Sequence, residues 1–249
     1  MTTHKRDQIY AQDQGELGDF CFDSQVAEVF DDMARRSIPG YEQILATLSD
    51  LAPRVVTAGS HVYDLGCALG AATHAVRQGL GQTPAKLFAV DNSAAMAERC
   101  QRHLASWRSP LAVEVRCEDI RTTAMSNASL VLLNFTLQFV PPDERHSQLT
   151  RIFNALNPGG MLLLAEKIRI EPAAMNDLIV ELYHNFKRRN GYSELEISQK
   201  RSALENVMRI DSLETHQERL AAVGFTPVIT LVQTLNFVAL LAIKPEASA

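Results

Sequence analysis

The stretch His61-Val-Tyr-Asp-Leu-Gly-Cys-Ala-Leu-Gly-Ala-Ala-Thr73 joins a short apolar strand to a helix through a loop of small residues. Val62, Tyr63 and Leu65 have the apolar character of a buried strand, and Gly66 and Gly70 allow a tight bend before a helix that starts near Ala71. The first N–H groups of such a helix are unpaired and face a ligand. The spacing is D-x-G-x-x-x-G, with Ala68 where a dinucleotide fingerprint carries its middle glycine. That makes a poor pyrophosphate cradle. An acidic residue, Asp64, precedes the glycine-rich turn instead.

The alternation downstream is regular. Lys86–Asp91, Ala112–Cys117, Leu130–Phe135 and Met161–Ala165 are apolar runs that predict strands two to five. Between them, Met96, Cys100, Leu104 and Trp107 predict the core face of one helix, and Leu149, Ile152, Phe153 and Leu156 that of another, stopped at Asn157-Pro-Gly-Gly160. Continuously apolar strands separated by helices imply a parallel α/β sheet covered on both faces. Pro227–Gln233 and Asn236–Ile243 predict two last strands that close a seven-stranded, Rossmann-like sheet as an antiparallel pair.

Before the first strand, Val26, Val29, Phe30 and Met33 mark an amphipathic helix behind an Asp23 or Ser24 cap. Pro39-Gly40 breaks the chain and Tyr41 opens a second helix to about Leu51. These helices (21–57) read either as a lid across a ligand mouth or as cover for a sheet edge. Residues 1–20 read as a mobile polar tail. Residues 172–210 read as a helical insertion, with Met175, Leu178, Ile179, Leu182, Tyr183 and Phe186 on one face, and Asp211 with Glu214 as a capping box for a last helix ending at Gly224. The chain reads as one domain over residues 1–249.

Composition narrows the function. At 249 residues, 46% of them hydrophobic, the chain is long enough to bury a sizeable core without disulfides or metals. A net charge of −5 argues against a general polyanion-binding surface, so direct nucleic-acid binding is not expected. Cys21, Cys67, Cys100 and Cys117 have no C-x-x-C pairing and read as reduced thiols of a cytoplasmic protein. The seven histidines form no ligand spacing, so no metal is expected. No run is long and apolar enough for a membrane span, and the polar start is not a signal peptide.

Several strand ends carry groups suited to a nucleoside ligand. Asp91 either accepts hydrogen bonds from ribose hydroxyls or caps the next helix, a role Ser93 can fill. Asp119-Ile120 either flanks an adenine ring or forms an ordinary turn, and Asn134 faces the reacting centre or is a buried amide with a local partner. Together with Gly66 and Gly70 they favour S-adenosylmethionine as the ligand. Lys187, Arg188, Arg189, Lys200 and Arg201 form a basic run in an acidic protein. It reads as a solvated helix face or as a carboxylate-recognition site, for which arginine's planar fork suits best.

Phe22–Phe30, Arg36–Tyr41, Val62–Thr73 and Asn134–Phe139, with Phe186–Ser202 and Leu204–Met208 in the insertion, resemble the carboxy-S-adenosylmethionine synthase family over about residues 16–245. The insertion motif is the most specific part. The resemblance implies conversion of S-adenosylmethionine and prephenate to carboxy-S-adenosylmethionine and phenylpyruvate, supplying a donor for a carboxymethoxy-type wobble uridine in tRNA. It implies that Tyr41, Gly66, Cys67, Ala68, Asp91, Asn92, Asp119, Ile120 and Asn134 hold the cofactor, that Arg201 grips the new carboxylate, and that the protein is a homodimer. In the mechanism that follows from it, the hydroxide leaving prephenate, or a base near it, takes the methyl proton, and no residue stands out as a protein base. The alternatives are an ordinary methyltransferase and a catalytically silent cofactor-binding partner of a tRNA-modifying enzyme.

Overall fold

The computed structural model describes residues 5–15 and 17–246. In chain order its elements are α1 (Ser24–Ser37), α2 (Tyr41–Val55), β1 (His61–Leu65), α3 (Ala71–Leu80), β2 (Lys86–Asp91), α4 (Ala94–Ser106), β3 (Val113–Cys117), β4 (Ala128–Asn134), α5 (Arg145–Ala155), β5 (Leu156–Lys167), α6 (Ala173–Arg189), α7 (Glu194–Glu205), α8 (Leu213–Val223), β6 (Val228–Thr234) and β7 (Phe237–Ile243). The strands form one sheet in the order β3-β2-β1-β4-β5-β7-β6. β1 pairs in parallel with β2 and β4, and β7 runs antiparallel to both β5 and β6. The order reverses direction at β1, so the carboxyl ends of β1 and β4 open a crevice, the place where ligands bind in open α/β sheets.

The hydrophobic pattern explains the layering. In β4, Leu130, Val131, Leu132 and Leu133 are all fully buried, as a central strand covered on both faces requires. Each such side chain contributes about 1.5–3 kcal/mol by leaving water. Leu130 and Leu132 face the core formed with α2 and α3, and Val131 and Leu133 face the one formed with α5 and α8. Gly79 lets α3 lie against α2, because a Cβ there would stand 1.9 Å from the Ser49 carbonyl oxygen.

Local chemistry departs from the sequence reading in several places. Asp23, not Ser24, caps α1, accepting from the N–H groups of Gln25 and Val26. Ser212, not Asp211, caps α8 by accepting from Thr215 N–H, because Asp211 is drawn into ion pairs with Arg145 and Arg219. Trp107 is not a core residue. It follows the last turn of α4, 54% exposed, with its ring 4.4 Å from that of His74. Asn157–Gly160 do not simply end a helix but form the bulged start of β5.

The insertion is two helices rather than one continuous helical run. It breaks at Gly191 (φ +82°). Ser193 and Glu196 then form a full capping box that starts α7. On α6 the expected apolar face is divided: Tyr183 is buried, while Met175, Leu178 and Leu182 are 40–46% exposed.

The N-terminal segment is a strap, not a mobile tail. Asp7, Tyr10 and Phe20 are buried, and Phe20 N–H donates to the Ala203 carbonyl at 2.8 Å. Its polar groups find partners on α7: Gln199 donates to the carbonyls of Tyr10 and Gln12 and accepts from Gln14 N–H. Residues 1–4 and 16 of the expected tail lie outside the described residues. No helix among the described residues is long and apolar enough to cross a membrane.

Candidate functional site

At the crevice lies a cavity of about 710 Å³. Its wall includes all ten residues singled out in the sequence: Tyr41, Gly66, Cys67, Ala68, Asp91, Asn92, Asp119, Ile120, Asn134 and Arg201. The parallel sheet brings the strand ends together, and the two leading helices and the insertion close over them, contributing Met33, Ser37, Tyr183 and Lys187 among others.

The β1–α3 loop is shaped for close approach of a ligand. Gly66 sits at φ +79°, where a Cβ would stand 2.4 Å from the side chain of Thr136. The N–H groups of Gly66 and Cys67 both donate to the Val90 carbonyl, which ties the loop to β2. Ala68 has φ +46°, a left-handed conformation that costs a residue with a Cβ about 1–2 kcal/mol. Its N–H is held by Asp91 Oδ2 at 2.9 Å. Asp91 Oδ1 accepts from Ser93 N–H at 2.9 Å, while Ser93 itself caps α4. Each Asp91 oxygen keeps a lone pair for a second donor. Burial raises the Asp91 carboxyl, with the two N–H donors opposing the shift.

Two buried oxygens on the cavity wall have no hydrogen-bond partner among the described residues. Asp64, near the end of β1, accepts from Thr73 N–H at 3.0 Å and Thr73 Oγ1 at 2.6 Å through Oδ2, leaving Oδ1 buried without a hydrogen bond. Burial pushes its carboxyl up to about 6 against the pull of those two bonds. Asn134 Oδ1 is likewise buried without a partner, so it has no local partner to occupy it. Leaving such groups unmade costs about 1–3 kcal/mol each, which a ligand with ammonium or hydroxyl donors recovers. The loop after β4 that frames Asn134 is fixed by Glu166, whose carboxyl oxygens accept from Leu137 N–H at 2.9 Å and Gln138 N–H at 3.0 Å.

Asp119 differs from the expectation in one respect. Both of its oxygens are engaged by Arg121, with Nη2 at 2.6 Å from Oδ2, and Arg121 also reaches Glu144. The guanidinium holds the Asp119 carboxyl below its usual range. Ile120 is buried beside it, so an apolar side and a polar edge do meet on the cavity wall.

The cavity wall also carries a set of basic groups. Lys167, His184, Lys187, Lys200 and Arg201 all line it. The basic run of the insertion is therefore split: Arg188 and Arg189 are exposed, Arg188 pairing with Glu194, while Lys187 and Lys200 are buried. Arg201 is exposed at the cavity wall, and its charge adds to the larger effect of burial in depressing Lys167 and His184. Asp64 was visible as the acid of the D-x-G-x-x-x-G motif, whereas Lys167 and Glu166 were not singled out. Lys167 is the last residue of β5, after its continuously buried part, and shows no motif of its own.

Proteins named carboxy-S-adenosyl-L-methionine synthase are similar along almost the whole chain. The one from Mannheimia succiniciproducens is 53% identical over 96% of this chain and 99% of its own length. Those from Idiomarina loihiensis (52%, over 98% and 100%) and Shewanella oneidensis (53%, over 96% and 98%) agree. This chain belongs to the carboxy-S-adenosyl-L-methionine synthase family.

Residues 62–160 also match the methyltransferase domain family, a span that covers the sheet from β1 to the start of β5. Solved structures share the fold at low identity. An O-methyltransferase family protein from Burkholderia thailandensis has a TM-score of 0.64 at 14% identity, over 91% of this chain and 61% of that one. Magnesium protoporphyrin IX methyltransferase from Synechocystis, solved with bound S-adenosylhomocysteine, has a TM-score of 0.59 at 14% identity, over 85% and 87%. The synthase family thus uses a class I methyltransferase sheet. Among the described residues no group of three or more His, Cys, Asp or Glu side chains is placed to hold a metal ion. All four cysteines are free thiols, with Cys67 Sγ 3.8 Å from Cys100 Sγ.

Proposed function

We propose that this protein converts S-adenosylmethionine and prephenate into carboxy-S-adenosylmethionine and phenylpyruvate, for use in modifying a wobble uridine of tRNA. The observation that carries the reading is a single cavity whose wall joins two sets of groups: acidic and amide groups, with Asp64, Asp91 and Asn134, and cations that include Arg201. The first matches the hydroxyls and ammonium of an adenosyl amino acid. The second matches carboxylates.

When S-adenosylmethionine is bound, its sulfonium makes the adjoining methyl group acidic enough to exchange a proton for CO2. The residues supply binding and geometry. Asp91 offers its free lone pairs to ribose hydroxyls, Ile120 packs against the base, and the partnerless Oδ1 atoms of Asp64 and Asn134 accept from the amino-acid end. Tyr41 closes the mouth from α2. Arg201 stabilises the new carboxylate as charge develops on it. CO2 and hydroxide leave prephenate as its ring becomes aromatic, so the methyl proton ends on that hydroxide as water. The cavity's task is to hold the reacting carbon and the released CO2 together, an entropic advantage of up to about 7–11 kcal/mol.

We further propose a cytoplasmic homodimer in which the exposed Met175, Leu178 and Leu182 stripe of α6 meets a second copy. No role in direct nucleic-acid binding is proposed, since the chain carries a net charge of −5.

The test is to incubate the purified protein with S-adenosylmethionine and prephenate and weigh the small molecules released on denaturation. Carboxylated S-adenosylmethionine with matching phenylpyruvate is expected. Unmodified S-adenosylmethionine after prolonged incubation contradicts the reading.

A further inference from the structure

Lys167 and Lys187 come from different parts of the chain, β5 and the insertion helix α6, yet both lie over one aromatic ring. Lys167 Nζ is 4.8 Å from the centre of the Tyr183 ring and Lys187 Nζ is 5.2 Å from it. Phe237 and Tyr192 flank them, 6.0 Å from Lys167 and 5.9 Å from Lys187. Neither ammonium makes an ion pair or hydrogen bond among the described residues, although both line the cavity. Lys200, by contrast, has Asp7 at 3.7 Å and Ser37 Oγ at 3.3 Å.

Cations gathered in one cavity without counter-ions repel one another and lose hydration, a cost that an anion removes. Burial and the neighbouring cations depress both groups, Lys167 to about 8 and Lys187 to about 7. Cation–π contact with Tyr183 offsets only part of that cost. Arg201 is exposed on α7, near enough to add to the positive field at Lys167, and is assigned in the mechanism above to the carboxylate being made.

We infer that Lys167 and Lys187, with the rings of Tyr183 and Phe237 beside them on the cavity wall, form a subsite for a cyclic dicarboxylate, each lysine pairing with one carboxylate of the second substrate. The inference rests on the reading of the second substrate as prephenate and assigns the groups that hold it. The aromatic frame suits a six-membered ring carrying two anions, and two separate cations favour a dianion over its monoanionic product. Phenylpyruvate keeps one carboxylate, so it loses one of the two pairings once CO2 has left. Product release follows from the chemistry itself.

The test uses the full-length protein and the variants Lys167→Met and Lys187→Met, which keep the apolar stem and remove the charge. Initial rates are measured against prephenate, and S-adenosylmethionine binding is measured by calorimetry as the check on folding and on the nucleoside end. Each variant is expected to raise the prephenate KM about ten- to one-hundred-fold, with S-adenosylmethionine affinity within about twofold of the wild type. Lys→Arg at either position is expected to recover part of the loss. A prephenate KM unchanged in both methionine variants overturns the assignment. So does a parallel fall in S-adenosylmethionine affinity, which would place the lysines on the carboxylate of that molecule instead. A wild-type protein that makes no carboxylated product fails the reaction itself, which is a separate result from an active wild type with indifferent lysines.

Discussion

Lys200 Nζ lies 3.7 Å from Asp7 Oδ2, inside the protein, and joins the N-terminal strap to the helix that carries Arg201. The same carboxylate oxygen accepts from Tyr192 Oη at 2.6 Å, and the Arg36 guanidinium lies 4.0 Å from the centre of the Tyr192 ring. One buried carboxylate thus fixes three elements: the strap, α1 and α7. Removing its charge while keeping its shape, Asp7→Asn, leaves Lys200 buried without a counter-ion. The expected loss is about 3 kcal/mol of stability, read as a lower denaturation midpoint at unchanged m-value. Adding Lys200→Met should restore part of it. A double variant no more stable than Asp7→Asn alone would show that the pair is not coupled.

Gly66 cannot become alanine without displacing Thr136, whose side-chain atoms a Cβ would approach to 2.4 Å. The left-handed φ of +79° adds about 1–2 kcal/mol of strain. Gly66→Ala is expected to weaken S-adenosylmethionine binding about tenfold or more in calorimetry, because the loop that cradles the ligand must shift. Wild-type affinity in this variant would remove the loop from the binding site.

His216 in α8 is buried, and neither ring nitrogen has a hydrogen-bond partner among the described residues. Burial lowers it to about 4, while the unfolded chain takes up its proton near 6.5. Its neutral form is therefore the native one. The contribution it makes is fully present above pH 6.5 and is lost as the pH falls through that value toward 4, by up to about 3 kcal/mol. Unfolding followed between pH 7 and pH 4 should show a shallower loss in His216→Leu than in the wild type. Parallel curves would contradict this.

The exposed stripe on α6 gives the proposed dimer its own test. Leu178→Glu with Leu182→Glu places charge on residues that are 46% and 40% exposed, so the fold should tolerate them. Light scattering is expected to report a dimer for the wild type and a monomer for this pair. An unchanged mass would move the interface elsewhere.

Much of this arrangement was legible in the sequence, because the groups that line the cavity sit at the ends of strongly apolar strands. Asp91, Asn134 and the Gly66–Gly70 loop follow from periodicity and the rule that ligands bind beyond carboxyl strand ends. What was hidden depends on long-range pairing. Asp7 looked like part of a polar tail because its partners, Tyr192 and Lys200, lie far along the chain. Lys187 and Arg188 are neighbours of one charge type, yet one is buried and the other exposed, and hydropathy does not distinguish them. Ala68 gave no sign of its left-handed conformation, which the hydrogen bond to Asp91 enforces. Asp119 read equally as an adenine contact or a turn aspartate, and its ion pair with Arg121 was hidden because Arg121 looked like an ordinary surface residue.

Arg201 lines the cavity without belonging to the folded core. Arg201→Leu should therefore leave S-adenosylmethionine affinity within about threefold of the wild type and abolish carboxylated product, a split read by calorimetry beside product mass. Unchanged turnover would remove its role in holding the new carboxylate.

The most direct measurement follows the carbon itself. Prephenate labelled isotopically in its ring carboxyl group is given to the protein with unlabelled S-adenosylmethionine, and the released nucleoside is weighed. The label is expected in the nucleoside as one added carboxyl group, matched by unlabelled phenylpyruvate. Label found only in free CO2, with S-adenosylmethionine recovered unchanged, would contradict the account.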